Sequence, residues 1–243
     1  MIPLKLLYFE ELDSTNEFAK REYCNLENFS MIIADYQYKG KGRNNREWYS
    51  PKGENLYFSL IVFPEIEVKY LTSLPVLTGF SVLKTIESLI TFDQIFLKWP
   101  NDIIVNNRKI SGILIESKKN AVIIGVGINV NSKKMPDFSE NKPTSLRIET
   151  GKFFDRLFIL KEFFENFCRV YEKFKNEKII TEDILNEINE NIYLKNEMVE
   201  VVFNEEIVTG TLKGINENGA LIIDNNLVFA GDVKKVRKLN KER

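Results

Sequence analysis

Hydrophobic positions along the chain recur with two different periods, and the alternation between them predicts the first elements. Apolar runs and period-two alternation predict strands over Leu4–Phe9, Met31–Tyr38, Asn55–Phe63, Ile95–Trp99, Asp102–Val105, Lys109–Glu116 and Ala121–Val130. Helical spacing predicts a helix from Asp13 to Tyr23, a long helix capped by Ser73 with its stripe from Leu77 to Ile90, another with a stripe from Leu160 to Phe174, and a shorter one over 182–191. Strands mixed with helices in this way indicate an α/β (α+β) domain, in which helices pack on a mixed β-sheet.

From Met198 onward the pattern changes, because short apolar strands then recur about every 8 to 12 residues. The predicted strands are Val199–Phe203, Ile207–Ile215, Ala220–Ile223, Leu227–Ala230 and Val233–Val236, with turns at Asn204-Glu205, Asn218-Gly219 and Asn225-Asn226. We expect a small closed or half-closed β-barrel here, so that residues 1–192 form one domain and residues 193–243 a second. Residues 132–150, with two prolines, are predicted to be a polar connection.

Charge and cysteine usage narrow the setting of the protein. The 34 Lys and Arg residues nearly balance the 35 Asp and Glu residues, so no overall field draws the chain to nucleic acid or to anionic lipid. Met1 leads into an apolar strand pattern without a basic leader, and no apolar run is long enough to span a membrane, which predicts a cytoplasmic protein. Cys24 and Cys168 lie in segments with a helical pattern and are expected to be buried thiols.

The sequence contains no histidine. This excludes His-based catalytic triads, His-ligated zinc and imidazole general bases. Any chemistry must therefore use Lys, Arg, Asp, Glu, Asn, Ser or Thr, or a substrate that is already a nucleophile.

The loop from Lys39 to Trp48 combines two glycines, four cationic side chains and one large aromatic residue. Exposed backbone N–H groups and cations both favour negative charge, so such a loop can close over an anion. A basic loop is more often solvated surface, and composition alone favours that second interpretation.

Two glycines mark one face of the last predicted strand of the first domain. Because side chains alternate, Gly125, Gly127 and Asn129 share that face, which leaves room for a flat ligand. Glycines that admit another backbone would give the same pattern. The pair is not a dinucleotide fingerprint, because no third glycine and no helix follow it.

Three stretches in this order carry a family resemblance: the loop from Gly40 to Trp48, Lys98-Trp99-Pro100-Asn101-Asp102, and Lys109-Ile110-Ser111-Gly112-Ile113-Leu114-Ile115-Glu116 leading to Gly125 and Gly127. Together they resemble the catalytic domain of a biotin protein ligase. The resemblance extends to Ser14-Thr15-Asn16, Tyr36-Gln37, Gly219-Ala220-Leu221 and Gly231-Asp232, and so covers nearly the whole chain. It implies the class II synthetase/biotin ligase fold followed by a Src-homology-3-like C-terminal barrel.

The reaction implied by the resemblance suits a protein without histidine. Biotin and Mg-ATP would give biotinoyl-5'-AMP and pyrophosphate, and the acyl group would then pass to a lysine of an apo biotin carboxyl carrier protein. The biotin carboxylate is ionised at neutral pH and needs no general base. The enzyme must supply positioning and positive charge against the phosphate oxygens.

The family pattern also implies a role for each site residue. Those implied to bind biotin are Ser14, Thr15, Asn16, Gln37, Gly40, Lys41, Lys109, Gly112, Gly125 and Gly127. Those implied on the ATP and adenylate side are Arg43, Arg46, Trp48, Trp99, Asn101, Asp102 and Asn129. Lys109, Arg43 and Asp102 are the implied catalytic residues, with Asp102 a candidate to hold Mg2+ or to steer the incoming amine. Core packing is the alternative for Trp48 and Trp99, and a surface position is the alternative for Lys109.

The loop departs from the usual family pattern, Gly-Arg-Gly-Arg-x-Gly-Arg-x-Trp, at two positions. Lys41 replaces the first arginine and keeps its charge without the planar fork. Asn45 replaces the third glycine, and we expect Asn45 to adopt the left-handed conformation there. Because the chain begins at the catalytic domain, we expect a monofunctional ligase that binds no operator DNA, and family resemblance suggests a homodimer.

Two alternatives stay open. A lipoate or octanoate ligase shares the fold, but the motifs of that family include a histidine in a Gly-rich stretch, which this chain lacks. A non-catalytic regulator would bind biotin or a nucleotide without releasing pyrophosphate.

Overall fold

The computed structural model describes residues 4–64, 67–90, 94–137, 142–203, 206–231 and 233–239. The strands of its first sheet are β1 (Lys5–Leu12), β2 (Ser30–Gln37), β3 (Leu56–Val62), β4 (Ile95–Lys98), β5 (Asp102–Val105), β6 (Arg108–Lys118) and β7 (Ala121–Ile128). They lie in the order β1-β2-β3-β7-β6-β5-β4. β1 pairs with β2 in parallel and the other neighbours are antiparallel. The predicted mixed sheet is therefore confirmed.

The helices cover both faces of this sheet. They are α1 (Thr15–Glu22), α2 (Leu74–Leu89), α3 (Leu146–Thr150), α4 (Arg156–Glu177) and α5 (Glu182–Glu190). Strand alternation separates two apolar clusters: Met31 and Ile33 join the core under α2 and α4, whereas Ile32 joins a smaller cluster with Ala19 of α1. Helix α1 therefore packs on the face opposite α2 and α4.

Several predicted element ends are displaced in the structure, among them those of β1, β6 and β7. Ile90 lies just beyond α2 in an extended conformation and does not continue its stripe. The predicted polar connection over 132–150 contains α3, because the Ser145 side chain accepts a hydrogen bond from the backbone N–H of Ile148 and starts a helical turn. The long predicted stripe is confirmed, since α4 buries Leu160, Phe163, Phe164, Phe167, Val170, Tyr171 and Phe174.

The C-terminal residues form a five-stranded antiparallel sheet. Its strands are β8 (Met198–Val202), β9 (Ile207–Ile215), β10 (Leu221–Ile223), β11 (Asn226–Val228) and β12 (Lys235–Lys238), in the order β11-β10-β9-β8-β12. The last two strands were predicted at 227–230 and 233–236 and are displaced, and one turn lies at Asp224-Asn225, one residue before its predicted position. The turn at Asn204-Glu205 lies outside the described residues. Closure into a Src-homology-3-like barrel and the boundary between residues 192 and 193 stay predictions, and the apolar core is continuous from the large sheet into this smaller one.

The cysteine prediction is wrong for Cys24. Helix α1 ends at Glu22, so Cys24 lies in a short 3-10 turn beyond it and is exposed. Cys168 is half-buried on α4, and burial raises the pKa of its thiol to about 11. Among the described residues, none of the helices is both long enough and apolar enough to cross a membrane.

Candidate functional site

A cleft of about 180 Å³ opens between the start of α1, the loop after β2, and strands β6 and β7. It brings together these predicted residues: Ser14, Thr15, Asn16, Gln37, Lys41, Arg43, Arg46, Trp48, Asn101, Asp102, Lys109, Gly112, Gly125 and Gly127. Three predicted residues, Gly40, Trp99 and Asn129, are not part of its lining. Elements that are far apart in sequence therefore supply one site.

Buried polar side chains fix the start of α1 beside the cleft. The side-chain oxygen of Gln37 accepts hydrogen bonds from the backbone N–H of Thr15, at 2.9 Å, and from its hydroxyl, at 3.2 Å. Ser59 of β3 donates to Asn16 Oδ1 at 2.5 Å. Sequence analysis missed Ser59. Its small hydroxyl side chain stands in a strand of otherwise aliphatic and aromatic residues, and that contrast was the available signal. These contacts leave Ser14 buried at the helix start without a capping bond.

The glycines of β6 and β7 make room for the protein's own side chains. A Cβ atom at Gly127 would lie 2.5 Å from the Trp48 ring, and one at Gly112 would lie 2.7 Å from it. A Cβ atom at Gly125 would overlap the side chain of Asn16. The glycine face that the sequence predicted is present, and the side chains of Asn16 and Trp48, rather than another backbone, lie against it.

Trp48 covers this glycine face. Its indole N–H is buried and has no hydrogen-bond partner among the described residues. The ammonium group of Lys109 lies 5.2 Å from the centroid of its ring, within cation–π range. An unpartnered buried donor is costly, so the cleft favours a ligand with an acceptor at this point.

Lys109 and Asp102 form an ion pair across β6 and β5, with 2.7 Å between Nζ and Oδ1. A register irregularity between Ile103 and Ile104 lies where the two strands pair, and it separates the pairing of Asp102 from that of Lys109. Among the described residues, no group of three or more Asp, Glu, His or Cys side chains could hold a metal ion. A metal bound by Asp102 would therefore need ligands from a substrate, and this role of Asp102 stays a prediction.

Arg43 connects the loop both to Asn101 and to the C-terminal residues. Its Nη1 donates to Asn101 Oδ1 at 3.0 Å, and its Nη2 donates to the carbonyl oxygens of Ala230, at 3.2 Å, and Val233, at 2.9 Å. Burial lowers the pKa of Arg43, and nearby Asp102 works against that shift. Sequence analysis could not find the two carbonyl partners, because a backbone carbonyl carries no residue-specific signal.

The remaining predicted residues occupy different surroundings. Trp99 is 3% exposed and donates its indole N–H to Gly219 O at 2.9 Å, a core position that links the two sheets. Asn129 follows β7, is buried, and has no partner for its side-chain oxygen among the described residues. Arg46 is exposed. The nucleotide roles of these residues stay predictions.

The backbone of the loop differs from the expectation in one place. Asn44, with φ 54° and ψ 39°, takes the left-handed conformation that was expected for Asn45. Asparagine accepts this conformation more readily than most residues. The turn therefore forms without the third glycine, one residue earlier than predicted.

Gly127→Ala is expected to destabilise the protein by about 1–3 kcal/mol, because the new methyl group overlaps the Trp48 ring and forces it to move. Urea unfolding measures the loss, and the tryptophan emission spectrum reports the displaced ring. Gly231→Ala is the matched control, since a Cβ atom there meets nothing within 4 Å. If the two variants had the same stability, tight packing of Trp48 on β7 would be refuted.

Known proteins resemble this chain both in sequence and in structure. Residues 8–131 match the family model described as biotin/lipoate A/B protein ligase family. The bifunctional ligase/repressor BirA of Bacillus subtilis is 30% identical over 94% of this chain and 73% of its own length. The biotin--[acetyl-CoA-carboxylase] ligase of Paracoccus denitrificans is 30% identical over 59% of this chain and 63% of its own. The solved structure of a biotin protein ligase from Aquifex aeolicus in complex with biotin and ATP superposes with a TM-score of 0.86, at 31% identity, over 97% of this chain and 99% of that one.

Proposed function

This chain belongs to the biotin/lipoate A/B protein ligase family, and we propose that it is an ATP-dependent biotin–protein ligase that acts on a biotin carboxyl carrier protein. The Aquifex aeolicus relative binds biotin and ATP, and the Paracoccus relative is named for the same reaction. One observation carries the proposal: Lys109, the glycine face of β6 and β7, and the basic loop meet in a single cleft.

In the first step, a carboxylate oxygen of biotin attacks the α-phosphorus of ATP, and the bond to pyrophosphate breaks. The nucleophile is already ionised, so the enzyme needs no base. Lys109 would lie between the carboxylate and the α-phosphate and stabilise the negative charge of both. Its ion pair with Asp102 and its position over Trp48 hold the ammonium in the cleft.

In the second step, the neutral amine of the carrier lysine attacks the acyl carbon, AMP leaves with the bonding electrons, and the nitrogen releases its extra proton to water. Asp102 would steer the incoming amine, because it is the carboxylate that lines the cleft beside Lys109. Mg2+ would arrive on the ATP phosphates and would screen their charge. The loop would cover the adenylate and keep water from the acyl phosphate.

The direct test is incubation of the protein with biotin, Mg-ATP and an apo carboxyl carrier domain. We expect release of pyrophosphate. We also expect mass spectrometry to show a carrier that is heavier by one biotinoyl group. Lipoate in place of biotin is the control, since the alternative ligase would prefer it. Pyrophosphate release with lipoate alone would assign the chain to lipoate ligation, and ligand binding without pyrophosphate in either arm would assign it to the non-catalytic class.

We also propose that the enzyme acts in the cytoplasm, that it assembles as a homodimer and that it does not bind operator DNA. Light scattering with and without biotin and ATP checks the assembly state, and a gel-shift assay checks DNA binding.

A further inference from the structure

Glu17 lies in the first turn of α1 and holds two lysines at once. Its Oε1 lies 2.6 Å from the Nζ atoms of both Lys20 and Lys41. Burial works to raise the pKa of Glu17, but the hydrogen bonds from these lysines lower it below its ordinary value. The carboxylate is therefore charged at neutral pH and forms a direct link between α1 and the loop.

The charges around Glu17 balance without a ligand. Lys20 also reaches Glu116 of β6 at 2.8 Å, so two carboxylates face two ammonium groups. The positive charge of Lys41 is thus neutralised by the protein itself. Lys41 is therefore not an unpaired cation that would need a substrate carboxylate as its partner. Its ion pair indicates that Lys41 ties the loop to α1.

The loop is a small hairpin with a side-chain anchor on each side. The Gly42 N–H donates to Arg46 O at 2.7 Å, and the Trp48 N–H donates to Gly40 O at 2.9 Å. On one side Lys41 meets Glu17, and on the other Arg43 meets Asn101 and the C-terminal carbonyls. Trp48 ends this hairpin, so a loop that is free on the α1 side would no longer hold Trp48 against β7.

We propose that Glu17 is a positioning residue for the reaction: through Lys41 it holds the loop against α1, so that Trp48 stays over the glycine face and the bound adenylate is retained. The inference rests on the proposed function for its catalytic consequence. Lysine can perform this task, because its compact ammonium reaches the same Glu17 oxygen that Lys20 contacts.

Trp48 itself provides a test that needs no substrate. Glu17→Gln and Lys41→Met are each expected to increase quenching of tryptophan fluorescence by acrylamide, because Trp48 becomes more accessible while the buried Trp99 contributes little. Lys20→Met is the matched control, since it removes a partner of Glu17 that does not touch the loop. The double variant Glu17→Gln/Lys41→Met should be quenched no more than either single variant.

Escape of the adenylate gives the second readout. Glu17→Gln and Lys41→Met are expected to release biotinoyl-AMP about two- to fivefold faster, the size that a partly exposed ion pair supports, with a smaller change in its rate of formation. Equal quenching and equal release in Glu17→Gln and Lys20→Met would overturn the inference, because Glu17 would then merely support α1. If quenching changes as expected but the wild-type protein releases no pyrophosphate, the proposed function fails and the loop anchor stands.

Discussion

Replacing Lys109 by methionine is expected to lower the rate of biotinoyl-AMP formation by about 10²- to 10³-fold. The ammonium of Lys109 is held in the cleft by Asp102, at 2.7 Å, and by the Trp48 ring, at 5.2 Å. A charge placed in advance at the point where two anions must meet costs no reorganisation during the reaction. Pyrophosphate release with saturating biotin and ATP measures the effect.

Lys118→Met is the matched control for this variant, because Lys118 lies on the same strand, is exposed, and does not line the cleft. It should retain the parent rate. Lys109→Arg should recover little activity, since the wider guanidinium spreads its charge away from the point that the compact ammonium occupies. Turnover by Lys109→Met within a factor of three of the parent rate would remove Lys109 from the chemistry.

Replacing Arg43 by methionine is expected to speed release of biotinoyl-AMP by about 10- to 100-fold. Three hydrogen bonds from the guanidinium hold the loop to Asn101, Ala230 and Val233, and a buried hydrogen bond that involves a charged group makes a net contribution of about 1.5–3 kcal/mol. Since the loop is at the surface, only a part of that sum is expected. The measurement is a chase of labelled adenylate with excess unlabelled biotin and ATP.

Lys39→Met removes the same charge from the stem of this loop and serves as the control, because Lys39 is exposed and does not line the cleft. It should hold the adenylate as the parent enzyme does. Equal release from Arg43→Met and the parent would show that the link to the C-terminal sheet does not retain the intermediate.

Local pattern was sufficient for most elements of the fold. The apolar stripe of α4 and the continuous apolar run of β3 were predicted and are buried as expected. The Asn106-Asn107 turn has the same local origin, since both asparagines have the positive φ values that a tight hairpin requires. Such features depend on neighbours in sequence, so a single sequence contains the information.

Element ends and exposure were less certain, because they depend on tertiary contacts. Cys24 follows a helical pattern but lies beyond the end of α1, where its side chain is exposed. Helix α3 forms in a stretch that looks like a connection, since a single cap by Ser145 is enough to start it. Where local signals for a helix start or a helix end are weak, packing against the rest of the chain decides between them.

The sequence by itself identified most of the residues that line the cleft, because the strings around Lys41, Lys109 and Gly127 stand in the order of the family pattern. Only the tertiary structure decided how those residues are held. Glu17 reaches Lys41 from 24 positions away, and Arg43 reaches a carbonyl 187 positions away. Neither partner has a local signature, because an ion pair or a carbonyl contact at that separation depends on how α1 and the C-terminal sheet pack against the loop.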